Sequence, residues 1–393
     1  MGNKTMKAVK GIFFVYLAAM LIMCLVGALV PAKDNTWERG ATIYYPDSGA
    51  VVGQDFKVNG SVYSKEEIKS AELLFEPSEY SIPIEREKIV YDGETLLTLS
   101  TFKNAVSVPE DGDYRISVKI ITDAEEMIID TVDITVKDGT ISKAFEMFSF
   151  DHIAALVVLC LIFAAMMLVY KKHPTEKTRI TLFTIASASI ILCDIILKIW
   201  MLNKGVFRGS YDMILHMCDI SGFLAPVLLF MVSSKGRNKL YNMMFIWGLG
   251  GAVMALLTPE MGGYAFPSFY FFNFFLKHGM IVIGLLLVTF IDGLRPKLKE
   301  LPIVMLISLG MVGVIYIINK LIVNIPPYEP GNYMFLSYPP TGGSAIDILV
   351  DIFGPAPMYI IGMAILAVIV FLVFWAPFAI EGSIKRAVEK KRK

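Results

Sequence analysis

Apolar stretches about 20 residues long, the length a helix needs to cross a bilayer, recur through this chain. They lie at 11–31, 151–170, 180–202, 212–232, 240–257, 270–291, 301–323 and 357–379. With 55% hydrophobic residues over 393 positions, the chain is too apolar for an ordinary soluble fold. The runs predict a polytopic α-helical membrane protein, with one N-terminal helix followed by a bundle of seven. Lys+Arg and Asp+Glu balance at 36 each, which argues against a nucleic-acid partner.

The balance conceals an asymmetry. Lys4, Lys7 and Lys10 precede the first run, and basic clusters fall at 171–179, 235–239, 295–299 and 385–393. The connection 203–211 carries Lys204 and Arg208, whereas 258–269 and 324–356 carry no Lys or Arg. Basic residues on alternate connections mark the cytoplasmic side. Both termini are therefore predicted inside, and residues 35–145 outside. The first run is either an uncleaved anchor or a signal peptide. Its apolar core from Ile12 to Val30 exceeds the 7–15 residues of a signal h-region and "GALVPA" is a loose cleavage pattern, so an anchor is the expectation.

Residues 35–140 differ in character. Alternating runs such as DFKVNGSV, SAELLFE, TLLTLST, YRISVKII and TVDITV are separated by the turn clusters PDSG, YDGE, PEDGD and KDG. Period-2 alternation in about seven strands predicts an all-β sandwich. The stretches "PDSGAVVGQDFKVNG" and "DGDYRISV" resemble bacterial immunoglobulin-like modules, with Tyr114 where such folds often place a corner tyrosine. The segment has no His and no Cys, so disulfides do not hold it together. Its bland role is a spacer or shield over the bundle; the functional alternative is recognition of a cell-surface or cell-wall partner. The expected divisions are 1–34 for the anchor, 35–145 for the sandwich, 146–380 for the bundle and 381–393 for a basic cytoplasmic tail.

Ionisable residues inside the apolar runs need a reason, because a charged side chain at mid-helix costs about 2.5–3.5 kcal/mol on insertion scales. "LHMCDIS" places His216, Cys218, Asp219 and Ser221 at one level. At 1.5 Å per residue, Cys218 would lie ~9 Å below the outer face, His278 ~12 Å below Tyr270, and Asp194 ~12 Å from Leu202. Asn273, Asn319 and Lys320 also fall in outer halves. Three helices thus deliver polar groups to one layer, which points to a common cavity. Each group has a plainer reading: Lys198 and Lys320 snorkelling, Asp194 and Lys198 as an i,i+4 pair, a lone His as a packing residue.

Within that layer Cys and His form a nucleophile–base pair when the imidazole takes the thiol proton. On a helix His216 points away from Cys218, so His278 is the better base. Asp219, three residues from His216, can orient or neutralise that ring. Metal binding is a weaker rival, with no HExxH and no paired-Cys spacing. Cys24, Cys160 and Cys193 read as small hydrophobes filling gaps.

Four ordered motifs, "LHMCDISGFLAPV", "FPSFYFFNFFLKHG", "GNYMFLSYPP" and "GPAPMYIIG", resemble those of bacterial YwaF-like membrane proteins, relatives of eukaryotic transmembrane protein 164. The resemblance spans about residues 150–380 and leaves the first helix and sandwich as additions. It implies a cysteine-dependent acyltransferase acting on membrane phospholipids, with Cys218 as the acyl-carrying nucleophile and His278 as the motif histidine. No cofactor is implied. Departures are Ala356, where the family often has an aromatic residue, and Met213–Leu215, which lack the family's frequent proline. Asn332 and Tyr333 are expected to supply polar donors near the mouth, with His216, Asp219, Asp194 and Asn273 supporting the pair. The competing class is a transporter or sensory receptor using the external domain for ligand or partner binding.

Overall fold

The computed structural model describes residues 3–29, 39–78, 80–88, 98–140, 145–204, 207–231, 235–261, 264–322, 331–340 and 345–392. The anchor–sandwich junction at 34–35 and Val30–Ala32 of "GALVPA" lie outside them.

Among the described residues the β domain has nine strands: β1 (Arg39–Tyr45), β2 (Ala50–Val52), β3 (Asp55–Ser64), β4 (Ser70–Glu76), β5 (Tyr80–Pro83), β6 (Arg86–Lys88), β7 (Thr98–Ser107), β8 (Gly112–Ile121) and β9 (Glu126–Val136). They form two sheets, ordered β1-β3-β7-β6 and β2-β9-β8-β4-β5. Pairing is antiparallel except for β2 with β9. The expected alternation is visible in the core, where Leu73, Phe75, Ile116, Val118 and Ile120 are buried between the sheets. Burying each such side chain contributes about 1.5–3 kcal/mol.

Two polar devices hold the sandwich. The Tyr114 hydroxyl donates to the Glu110 carbonyl at 3.1 Å, the back-bond of a tyrosine corner. Asp130 is the extra residue at a register shift between β8 and β9, with φ of 52°. Its carboxylate accepts from Thr131 N–H at 2.9 Å and, across to the other sheet, from Ile43 N–H at 2.6 Å.

The helices are α1 (Asn3–Leu29), α2 (Phe150–Lys172), α3 (Glu176–Lys204), α4 (Met217–Phe230), α5 (Lys235–Met244), α6 (Ala252–Leu257), α7 (Phe269–Ile291), α8 (Leu301–Ile322), α9 (Ala345–Phe353) and α10 (Met358–Arg392). Seven residues of π-helix, Phe245–Gly251, join α5 to α6 into one rod. Six helices are long and apolar enough to cross a membrane, and α1 and α4 add shorter apolar stretches. The chain is therefore a multi-pass membrane protein carrying a β-sandwich. Helix α7 is its axis, with 67% of its apolar window buried, against 11% in α2 and α8 and 6% in α10. Those outer helices show Leu161, Leu168, Leu306, Ile317 and Val373 to the lipid. At Gly279 of α7 a Cβ would lie 2.3 Å from Leu159 of α2, so glycine is what allows the two helices to approach.

One expectation needs correction. Apolar residues from 212 onward predicted a helix starting there, but α4 starts at Met217, because tertiary bonds claim the preceding backbone. Lys198 Nζ donates to the Asp212 carbonyl, and Met213 N–H donates to the Tyr333 hydroxyl at 3.1 Å. Cys218 therefore sits in the first turn of a helix, not part-way down one. The long connection 324–356 contains α9 and a short 3-10 turn at Tyr333–Phe335. The basic tail continues α10 to Arg392.

The sandwich rests on the end of the bundle formed by 207–216, 258–261 and 264–268. Tyr264 OH donates to Asp47, Tyr45 meets Tyr264 edge-on at 5.7 Å, and the Arg208 guanidinium lies 4.2 Å over the Tyr44 ring. Burial pushes the Asp47 carboxyl above its ordinary value, against the lowering effect of the Tyr264 bond. At the opposite end Asp292 receives Arg179 at 2.6 and 2.9 Å and also Arg237.

We expect the excised sandwich, 35–140, to unfold cooperatively in urea with no response to reductant. Tyr114→Phe should cost it about 1 kcal/mol, the net contribution of one hydrogen bond. A reductant-sensitive or non-cooperative transition would contradict this account.

Candidate functional site

Three helices meet at one level of the bundle, and a single ammonium joins them. Lys277 of α7 places Nζ 2.5 Å from Asp219 Oδ1 of α4, as a hydrogen bond. The same Nζ lies 2.5 Å from Asp194 Oδ1 of α3. Lys277 thus bridges two carboxylates, one from α3 and one from α4. The other Asp194 oxygen accepts from the Tyr16 hydroxyl of α1. One turn above Lys277 on the same face, Asn273 Nδ2 donates to the Cys193 carbonyl at 2.9 Å. Residues 273 and 277 of α7 thus hold 193 and 194 of α3. All of these side chains are buried or nearly so.

Hence Asp194, Asp219 and Asn273 converge as the sequence suggested, although their partners differ from expectation. Lys198 is not the partner of Asp194. It reaches the Asp212 carbonyl and lies 5.6 Å from the centre of the Phe207 ring. Nor does Asp219 pair with His216. That histidine is the N-cap residue of α4, with Nε2 3.1 Å from the Tyr211 carbonyl and Nδ1 3.3 Å from Met334 N–H. A carbonyl only accepts and an amide N–H only donates. The ring therefore carries its proton on Nε2 and has no nitrogen left to act as a base.

His278 differs. Its Nδ1 lies 2.8 Å from the Phe274 carbonyl, which fixes the proton on Nδ1 and leaves the Nε2 lone pair to accept. Its ring packs on Phe274 at 4.2 Å. Cys218 is half-buried in the first turn of α4. The Asp219–Lys277 pair links the residue after Cys218 to the residue before His278. One ion pair thus brings the two expected reactive turns to the same level on adjacent helices.

Asn332 and Tyr333 were expected at the mouth, but both are buried within a loop. Asn332 Oδ1 accepts from Ser337 N–H at 3.2 Å and Tyr338 N–H at 3.1 Å. Tyr333 OH donates to the Gly209 carbonyl at 2.6 Å, and its backbone pairs twice with the Asn319 amide, at 2.9 and 3.0 Å. Their visible work is to pin the loop against the residues leading into α4. No group of three His, Cys, Asp or Glu side chains among the described residues has metal-binding geometry.

Sequence reasoning missed two residues. Lys277 stands beside His278 in "FFNFFLKHG", a lysine in an apolar helix four residues after Asn273, and that spacing was a usable signal. Tyr16 carried none, since a tyrosine in an apolar run resembles an interfacial aromatic.

Fold and site together define a multi-pass helical membrane protein with a buried, ion-paired polar core beside a cysteine and a histidine. The TMEM164 family matches residues 147–375, and the chain belongs to that family. No curated protein matches it. A solved structure of fibronectin(III)-like modules of CbhA from Clostridium thermocellum is 17% identical, with a TM-score of 0.17, covering 26% of this chain and 99% of that one.

Removing one partner of a buried pair costs about 3–5 kcal/mol, because the remaining charge is left uncompensated. Lys277→Met should therefore lower the apparent Tm of detergent-solubilised protein sharply. Adding Asp194→Asn and Asp219→Asn should recover more than half of the loss. An unchanged Tm in Lys277→Met would show that the cluster is not structural.

Proposed function

We propose that this protein, a member of the YwaF-like bacterial branch, moves fatty acyl chains between membrane phospholipids and lysolipids through a thioester on Cys218. The observation that carries the reading is the Asp219–Lys277 ion pair, which holds the neighbours of Cys218 and His278 2.5 Å apart. His278 Nε2 takes the thiol proton, and the thiolate attacks an acyl ester carbonyl. The C–S bond forms, the ester C–O bond breaks, and the departing lysolipid oxygen receives the proton from His278. An acceptor hydroxyl then gives its proton to His278 and attacks the thioester, which restores the thiol. The apolar bundle keeps water from the thioester.

The topology proposed with it has both termini cytoplasmic and residues 35–145 extracellular. The site then lies in the outer half of the cell membrane, and the sandwich is free to meet a cell-surface or cell-wall partner. The divisions 1–34, 35–145, 146–380 and 381–393 follow that scheme.

Purified protein incubated with phospholipid and no acceptor should form a hydroxylamine-sensitive acyl adduct on Cys218, mapped by mass spectrometry. Lysolipid should discharge it. His278→Ala should slow its formation by about 10²–10⁴-fold, the usual contribution of a general base. An adduct persisting in Cys218→Ala, or none with any phospholipid, would favour a transporter or receptor. In intact cells, external protease should degrade the sandwich and spare a C-terminal tag; loss of the tag would reverse the topology.

A further inference from the structure

The N-terminal helix lies outside the residues matched by the family, yet it reaches the centre of the site. Tyr16, Met20 and Cys24 form one buried stripe on α1 at i, i+4 and i+8. The opposite face shows Ile12, Val15, Ile22 and Val26 to lipid. The rings of Phe13 and Tyr16 sit 4.3 and 5.6 Å from Phe223 of α4. At Gly27 a Cβ would overlap the Phe207 ring, with contacts of 2.2–2.8 Å. An anchor that only held the sandwich to the membrane would need none of this fit.

The hydroxyl is the informative group. Lys277 is shared between Asp219 and one oxygen of Asp194, at 2.5 Å from each. Among the described residues, the hydrogen-bond donor to the other Asp194 oxygen is Tyr16. A buried carboxylate short of donors draws harder on whatever cation it touches. Here that cation is the one holding the turn of Cys218.

We propose that Tyr16 is a positioning residue for the Cys218–His278 site, and that α1 completes a site the family region alone does not finish. By hydrogen-bonding the other Asp194 oxygen, Tyr16 weakens that carboxylate's pull on the shared ammonium, and so favours the bond from Lys277 to Asp219 that fixes the first turn of α4 against α7. The inference rests on Cys218 being the reactive thiol. It also implies that α1 stays on the mature protein, since cleavage would remove the donor.

The test reads Cys218 reactivity, which needs no acyl transfer. Full-length protein is alkylated with iodoacetamide across a pH series, and the Cys218 peptide is quantified by mass spectrometry. Charged and titratable groups at this level are Tyr16 from α1, Asp194 and Lys198 from α3, His216 and Asp219 at the start of α4, and Lys277 and His278 from α7. Tyr16→Phe keeps the ring on Phe223 and removes only the donor. It should move the midpoint of the profile to higher pH and slow alkylation at neutral pH at least threefold. In an Asp194→Asn background the same substitution should change little, because the acceptor it acts through is gone. Phe13→Leu, which disturbs the same packing without the hydroxyl, should leave the midpoint in place.

Should Tyr16→Phe fail to fold, 3,5-difluorotyrosine at position 16 keeps ring and hydroxyl and strengthens the donor, so the midpoint should move to lower pH. A profile that superimposes on the parent, an equal shift in the Asp194→Asn background, or an equal shift in Phe13→Leu would overturn the proposal. An acyl-transfer assay run in parallel separates the two readings. A shifted profile with no acyl adduct sinks the acyltransferase and leaves the positioning role standing.

Discussion

One ammonium shared by two carboxylates inside an apolar bundle is the constraint on which the rest of this architecture depends. Each charge alone would be costly at that depth, and desolvating a pair is repaid only when geometry and further hydrogen bonds are good. The chain meets those conditions by committing three helices to one level. Asn273 fixes α7 against α3 one turn from Lys277, and the bond from Lys277 to Asp219 fixes α7 against α4. Apolar packing between membrane helices specifies register weakly, since lipid tails are as apolar as the side chains. Here the ions set the register, and Cys218 and His278, next to them in sequence, are brought to the same level on adjacent helices.

Much of this was legible in the sequence because it rests on local rules. Apolar runs of bilayer length gave the long helices, and period-2 alternation gave the sandwich, down to the Tyr114 back-bond. Cys218, Asp219, Asp194, Asn273 and His278 stood out as polar residues in apolar runs. Partnerships were not legible, because they depend on helix rotation, which composition does not encode. Asp194 has Lys198 four residues away and uses Lys277 instead. His216 has Asp219 three residues away, but spends its ring on a loop 118 residues downstream. The late start of α4 has the same origin, since a tyrosine 120 residues away takes the Met213 N–H.

The segment 207–216 joins the two halves of the molecule. Its Arg208 lies under Tyr44 of the sandwich, its Tyr211 hydroxyl meets Glu260, and its last residue caps α4. Tyr333 ties it to the loop before α9 through Gly209 and Met213. The beginning of the cysteine-bearing helix is therefore set by contacts from the β domain, two connections and a distant loop together, rather than by the helix's own preference.

The shared ammonium also has a consequence for how the chain is made. Translation delivers α3 and α4 first, and Asp219 leaves the ribosome 58 residues ahead of Lys277. At about 5–20 residues per second, both carboxylates spend several seconds at the translocon before Lys277 is made. Tyr16, 178 residues ahead of Asp194, is a native partner of that carboxylate already translated during that interval. The order of synthesis thus gives the first helix a second use, as a temporary host for a carboxylate whose permanent partner has not yet been translated.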